Sequence, residues 1–384
     1  MNAMNILIVT AYPPVLNMHG GGVRMYHNIR ILAAKHRVHV LSFVENDTER
    51  KSLESLRTVC ESIEAIDRIP DLAARPWSLE PEMMRYFNVA DMHRAVSDSI
   101  AVNDIDVLQC EYLQMTQFHR PDVLTIFTAH EVMSANSHEE FQSRSRPLEK
   151  IRSYYGWMAM LRYEVRAVRR FDRVVTMTGA DRDYLGSYAP DADVRDIPIG
   201  VDAGWYSPKD VDSAKPLEAV FLGNFRHTPN IEAVHFLREH LMPHFPRLLF
   251  QIAGSNVPDG LVEGTDARLL GYQPDTRVLY NRPNTIVVAP LFSGTGQRVK
   301  LLEAFSMAMP VITTSVGAMG FPVRDGVEAF VADTPETYRR ALRKLCSSAE
   351  LRLEMGGRAR EMILEEFDWD RLGGRFFDVI SPMG

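Results

Sequence analysis

Between Ser293 and Ile312 the chain reads SGTGQRVKLLEAFSMAMPVI: small residues, then two cations, Arg298 and Lys300, then a single acid, Glu303. Neither common nucleotide-loop pattern fits. A Walker A loop closes on Gly-Lys-Ser/Thr, whereas Gly296 is followed by Gln297, and a dinucleotide fingerprint needs a third glycine where Val299 stands. The stretch does provide a strand (TIVVAPLF), a small-residue turn, and a helix expected to start at Thr295 or Gly296 and to end before Pro310. On that helix Gly296, Lys300, Glu303 and Met307 share one face, with Val299, Leu302 and Phe305 turned to a core. A helix N-terminus offers free N–H groups and a positive dipole end to a phosphate, Gly296 permits close approach, and Lys300 adds a point charge. The carboxylate one turn further along suits hydroxyls instead, such as the two of a ribose. The chemistry indicated is nucleoside diphosphate binding. The same residues also read as a capped surface helix with a Lys/Glu pair, worth about a few tenths of a kcal/mol.

The elements that position this stretch follow from pattern. NILIVTAYP (residues 5–13), a glycine cluster, the helical VRMYHNIRILAAKH and then RVHVLSFV form a βαβ unit. Short strands recur in IDVLQCE, DVLTIFTAH and RVVTMTG, which is the signature of a parallel sheet covered on both faces. Near residues 197–216 periodicity stops and Pro, Gly, Asp and Ser collect. A second series follows: EAVFLGNF, RLLFQIAGS, ARLLGYQ, TIVVAPLF, PVITTSV and EAFVAD. The expected architecture is α/β, with two Rossmann-like doubly wound domains. Residues 1–200 form the first, 201–216 a linker and 217–366 the second, followed by residues 367–384.

Composition narrows the class. With 384 residues, 46% hydrophobic and 24% charged, the chain has the make-up of a globular protein with two cores. A net charge of −7 disfavours a dedicated nucleic-acid binder. Cys60, Cys110 and Cys346 are far apart, without the spacing of a zinc site or a disulfide framework, which fits a reducing cytoplasm. The N-terminal apolar run lacks a basic flank and reads as a strand rather than a signal peptide. No run reaches the roughly 18 apolar residues of a membrane span.

Through TGQRVKLLEAFSMAMPVI the chain resembles the GT-B glycosyltransferases, and most of all the retaining enzymes of glycosyltransferase family 4 (glycosyl transferases group 1). Their stretch carries two glutamates eight positions apart; Glu303 matches the second, and Thr295 stands in place of the first. That departure falls on the donor-sugar side and leaves the nucleotide contact in place. The likeness continues in VTAYPP with HGGGVRMYHNIRILA, in RYEVRAVRRFDRVVTMTGADRDYL, in IPIGVDAGWYSP, in FLGNFRHTPNIEAVHFL, in RLLGYQPD and in EEFDWDRLGGRFFDVI. It implies two domains facing a central cleft, with the C-terminal helix crossing back to the N-terminal domain. It also implies that Gly20, Gly21 and Gly22 line the cleft as a glycine-rich loop, that Asn224 and Arg226 sit by the phosphates, and that Gly271, Tyr272 and Gln273 pack the nucleobase. Thr295, Gly296, Val299 and Glu303 complete the donor site. Arg298 and Lys300 stabilise the leaving diphosphate, and His130 lies near donor sugar and acceptor.

Of these, His130 also ends a predicted strand, the edge where open α/β sheets present ligand groups, although a lone histidine there is otherwise a satisfied surface or core residue. Glu131 beside it is a candidate to orient the ring, and His19 reads as solvated. No D-x-D follows a strand in the first half, so no metal and no cofactor are expected; cations and helix dipoles would carry the charge of the leaving group. Residues 144–173 hold nine Lys/Arg against three acids, interleaved with Tyr154, Tyr155, Trp157 and Tyr163. They read either as peripheral contact with an anionic membrane or lipid-linked acceptor, or as a solvated helix with inward aromatics.

The function expected is sugar transfer from a nucleotide-diphosphate donor to a hydroxyl acceptor, lipid-linked or oligosaccharide. The expected setting is surface polysaccharide or glycolipid assembly in the cytoplasm or at the inner face of the membrane. The alternatives are a non-catalytic GT-B scaffold and a nucleotide-sugar epimerase; a dehydrogenase is disfavoured by the absent glycine fingerprint.

Overall fold

The computed structural model describes residues 3–16, 20–68, 80–208, 216–280, 284–294 and 296–381. The chain divides into two compact units, Met1–Pro198 with Gly373–Gly384, and Ile199–Leu372.

The first unit is built on β1 (Asn5–Thr10), β2 (Arg37–Val44), β3 (Ser62–Asp67), β4 (Val107–Glu111), β5 (Leu124–Ala129), β6 (Arg173–Thr176) and β7 (Val194–Asp196). They pair in parallel in the order β3-β2-β1-β4-β5-β6-β7. Central strands such as β4 are buried at every position, as a sheet covered on both faces requires. The edge strands β3 and β7 are absent from the sequence reading. β3 (SIEAID) alternates exposed and covered positions, and β7 has three half-buried residues, so neither shows the continuous apolar run of a central strand.

The second unit holds β8 (Glu218–Leu222), β9 (Leu249–Ala253), β10 (Arg268–Gly271), β11 (Thr285–Ala289), β12 (Val311–Thr313) and β13 (Phe330–Val331), again parallel, in the order β10-β9-β8-β11-β12-β13. The turn after β9 requires glycine. Gly254 has φ +141°, and a Cβ there would lie 1.7 Å from the Gly223 carbonyl oxygen. Gly254→Ala is expected to cost about 3 kcal/mol or more, because strained backbone and a backbone clash add. A urea midpoint equal to that of the parent would contradict this packing.

The linker expected at 201–216 needs correction. Residues 209–215 lie outside the described residues, but Val201 bridges Asp368, and Arg360 donates to the carbonyls of Ala203 and Tyr206. Residues 201–206 are thereby part of the second unit. The closing helix runs over Trp369–Ile380, and its residues from Gly373 onward cluster with the first unit. There Phe376, Val379 and Ile380 are buried, and Arg173 Nη1 donates to the carbonyls of Val379 (2.5 Å) and Ser381 (2.6 Å).

Candidate functional site

Open parallel sheets bind ligands where strand order reverses, at the C-terminal ends of the two strands that flank the reversal. In the second unit these strands are β8 and β11. Each runs into a helix, Thr228–His240 after β8 and Val299–Ser306 after β11. The helix begins later than the sequence pattern predicts. Gly294 (φ +92°) and Gly296 (φ +78°) are left-handed, so Gly296 cannot belong to the helix, and Arg298 is its N-cap. The expected Gly296–Met307 face is corrected accordingly: Gly296 lies in the preceding turn, and Met307 is a buried C-cap. Leu301, Leu302, Ala304, Phe305 and Ser306 are buried, while Val299 is only half-buried. This is an embedded helix, not the capped surface helix of the alternative reading.

Lys300 and Glu303 each find their own partners. Lys300 Nζ donates to Asn230 Oδ1 at 2.6 Å and lies 4.6 Å from the centre of the Phe221 ring. Asn230 Nδ2 donates to the Asn224 carbonyl at 2.7 Å, so the two helix starts and the β8 loop are tied together. Gly223 is needed at this junction, because a Cβ on it would come within 2.8 Å of Asn230 Cγ. Glu303 accepts from Tyr206 Oη and from Thr276 Oγ1, both at 3.0 Å. Burial pushes the Lys300 ammonium down to about 7, with the Arg298 charge adding to the fall. Burial likewise pushes the Glu303 carboxyl up to about 7, against the lowering effect of its two hydroxyl donors. Both groups are poised to change charge near neutrality, a condition costly to the fold and common at functional sites.

The remaining donor-side residues divide. Arg298 Nη2 turns back to the carbonyls of Ser293 (3.1 Å) and Gly294 (2.5 Å), bracing the turn. Asn224 and Arg226 are exposed after β8, and Asn224 Oδ1 accepts from the Arg226 N–H (3.1 Å) and Asn256 Nδ2 (3.1 Å). Gly271 ends β10 at φ +66°, Tyr272 is 69% exposed, and Gln273 Nε2 is tied to the Leu270 carbonyl. Thr276, in the next turn of this segment, brings it to Glu303. Thr295 and His19 lie outside the described residues. Asn230, Tyr206 and Thr276 are additions of the structure. Asn230 had a local signal, sitting in the first turn of a helix after a strand; Tyr206 lies 97 residues from Glu303 and had none.

In the first unit the reversal lies between β1 and β4, and a buried polar cluster occupies that edge. Glu111, the last residue of β4, is fully buried; its Oε2 lies 2.6 Å from His130 Nε2, and its Oε1 accepts from Gln109 (2.5 Å) and Asn28 (3.3 Å). Burial alone would raise the Glu111 carboxyl, but the hydrogen bond and charge of His130, with the charge of Arg24, hold it below the ordinary range. A carboxylate only accepts, so His130 Nε2 carries the proton and donates it to Glu111. Burial keeps the His130 pKa low despite that partner. The expected role of Glu131 is corrected: its carboxylate accepts from Asn136 Nδ2 (2.8 Å), and the orienting acid is Glu111, which strand register brings beside β5.

Tyr112 stacks on the His130 ring, centroids 3.9 Å apart and planes 8° apart. To do so it adopts φ +77°, ψ +153°, a region nearly reserved for glycine. Backbone strain is thus held in place where it presses an aromatic ring on the histidine. Gly20, Gly21 and Gly22 form the first turn of the helix Gly20–Ala33, so the glycine loop of the sequence reading is helical here. Arg24 from that helix is fully buried and donates to the Ile197 carbonyl at 2.9 Å. Glu111 could have been found in the sequence by the strand-end argument that selects His130.

Residues 18–205 match the family profile described as Glycosyltransferase Family 4, and residues 216–348 match that described as Glycosyl transferases group 1. An uncharacterized 44.6 kDa protein in the cps region of Klebsiella pneumoniae is 19% identical over 97% of this chain and 98% of its own length. Among solved structures, the sucrose-phosphate synthase of Thermosynechococcus elongatus superposes with TM-score 0.74 at 15% identity, covering 98% of both chains. HepE of Anabaena, solved in complex with UDP, gives 0.72 at 13% identity over 99% of this chain and 100% of that one. TarM gives 0.70 at 10% identity over 99% of each.

Proposed function

Because the chain belongs to the GT-B glycosyltransferases, with a family 4 and a group 1 domain, we propose that it transfers a sugar from a nucleoside-diphosphate donor to a hydroxyl acceptor with retention and without a metal. The observation that carries this reading is the pairing, on one buried helix at the β8/β11 reversal, of Lys300 with Asn230 and of Glu303 with two hydroxyl groups. An ammonium in a low-dielectric site serves a diphosphate. A carboxylate already holding two hydroxyls is chemically suited to exchange them for those of a ribose. HepE was solved with UDP and glucose and with UDP-glucose, and a TarM variant with UDP, which supports a donor of this class.

In the reaction proposed, the bond from the anomeric carbon to the diphosphate oxygen breaks as the acceptor oxygen bonds to the same face, and the acceptor proton passes to the departing diphosphate. Negative charge grows on the leaving group, where Lys300 and the helix start lower its energy. His130, held by Glu111 and Tyr112, serves the sugar and acceptor side. The setting proposed is assembly of a surface polysaccharide or glycolipid, on a lipid-linked or oligosaccharide acceptor.

The test is a binding and hydrolysis screen against UDP-, GDP-, ADP-, CDP- and dTDP-sugars with and without EDTA. Selective stabilisation by one nucleotide with EDTA-resistant release of the sugar is the expected result; indifference to all of them would leave only a scaffold. Anomeric configuration of the product, read by NMR, decides retention.

Proton linkage gives an independent check. A bound diphosphate favours charged Lys300 and raises its pKa from about 7, so binding above neutrality should take up protons. Ribose hydroxyls replace those of Tyr206 and Thr276 on Glu303 one for one, so that carboxyl, pushed up to about 7, is expected to add little uptake or release of its own. Calorimetry in buffers of different ionisation enthalpy reads this uptake; its absence above neutrality would remove Lys300 from the phosphate.

A further inference from the structure

The helix Pro147–Arg170 carries a second arrangement that the donor site does not use. Trp157 on one side stacks with His138 and Phe141 of the helix Met133–Ser143, and buried Glu164 accepts from the N–H groups of Met133 and Ser134 (2.9 and 3.0 Å), anchoring that helix start. Leu148 and Tyr155 project nearly opposite Trp157, with Ile151 and Met158 flanking them on one side, and the four are 84%, 69%, 56% and 40% exposed. Their spacing of three and four residues makes one continuous stripe. At about 100° per residue the same stripe continues through Arg162, Arg166 and Arg170. Half of the face is therefore apolar and uncovered, and the other half is cationic.

The cationic half is concave. Arg162, Arg166 and Arg170 line one wall of a cavity of about 370 Å³, with Asn88, His93 and Gln117 among the residues opposite. Glu80 is the acid in its lining. Arg170 bonds to His119 Nδ1 (3.2 Å), whereas among the described residues Arg162 and Arg166 have neither a hydrogen bond nor an ion pair. Near the apolar end, Glu149 is taken by Arg146 (3.3 Å) and lies 3.9 Å from Arg144. Two guanidinium forks one turn apart in a pocket match a compact phosphate better than a flat charged surface does.

We propose that this helix face binds one phosphate-headed lipid, its phosphate held by Arg162 and Arg166 in the cavity and its hydrocarbon chain lying along Leu148, Ile151, Tyr155 and Met158. As the site of a lipid-linked acceptor this rests on the transferase reading; as a lipid site it does not. The charge balance supports that occupant: three arginines face one acid in the cavity, and no acid belongs to the apolar stripe. The notably basic 144–173 segment is thereby split, since Arg173 is buried and Glu164 is a helix anchor rather than part of a lipid face.

The experiment is cosedimentation of the full chain with phosphatidylcholine vesicles containing phosphatidic acid, or phosphatidylglycerol at matched charge. The parent is expected to bind the phosphatidic acid vesicles and to prefer them to phosphatidylglycerol. The pair R162A/R166A and the pair L148N/I151N are each expected to lose about tenfold or more. Retained nucleotide binding and an unchanged Tm show that both variants are folded. Equal binding of the parent to both lipids overturns the headgroup pocket, and parent-like binding by either double variant overturns the site. Complete competition by soluble inorganic diphosphate reduces it to a free-anion site and also overturns the proposal. If phosphatidic acid binding behaves as expected while no nucleotide binds, the transferase reading fails and the lipid site stands.

Discussion

Lys300→Ala is expected to weaken nucleoside-diphosphate binding by one to two orders of magnitude, the equivalent of about 1.5–3 kcal/mol for a charge-assisted hydrogen bond. The substitution removes the ammonium and leaves Asn230 Oδ1 without the donor it has at 2.6 Å. Stability is expected to move differently. Burial already disfavours the charged lysine, pushing it down to about 7, so Lys300→Met should keep or raise Tm while binding falls. Arginine is no conservative replacement in a site that fits a compact head between Asn230 and the Phe221 ring. Titration calorimetry with the best nucleotide from the screen, beside thermal unfolding, separates the two effects. Parent-like affinity in Lys300→Ala would remove the phosphate from this helix.

Glu111→Gln is expected to lower turnover by about two orders of magnitude, as for loss of one preorganised hydrogen-bonding group at a reacting centre. Glu111 acts through His130 and is a positioning residue. Its carboxylate accepts from Gln109, Asn28 and His130 together, whereas an amide has one acceptor oxygen and brings two donors into a space already filled with donors. The ring then loses both its orientation and the charge that opposes burial, so the His130 pKa should fall further. A purely structural role would lower Tm alone. The diagnostic combination is a fall in kcat with little change in donor KM, plus a shift of the acidic limb of the pH profile. Glu111→Asp, which keeps the charge, should restore part of the activity. An unchanged kcat in Glu111→Gln would release His130 from any role in the reaction.

Legibility followed the range of the interaction. Two parallel α/β series, their central strands and the helix bearing Lys300 and Glu303 could be read directly, because burial on both faces writes a continuous apolar run and helical packing writes a period near 3.6. The edge strands β3 and β7 escaped because they are covered on fewer sides and carry weaker patterns. The start of the Val299–Ser306 helix escaped because a glycine serves equally as a helix opening and as a left-handed turn, and only the backbone angles at Gly294 and Gly296 distinguish these.

By itself, the sequence determined the types of chemistry present: a lysine and a glutamate one turn apart after a buried strand, a histidine at a strand end, and a basic helix rich in aromatics. Tertiary structure alone decided their partners. Tyr206 and Thr276 reach Glu303 from 97 and 27 residues away, and Glu111 displaces the adjacent Glu131 as the partner of His130 from 19 away. Local periodicity cannot encode such pairings, since hydrogen bonds and desolvation depend on which chain segments the sheet register sets side by side. The same holds on the basic helix, where packing of Trp157 against Phe141 determined which face was left for Leu148 and Arg162.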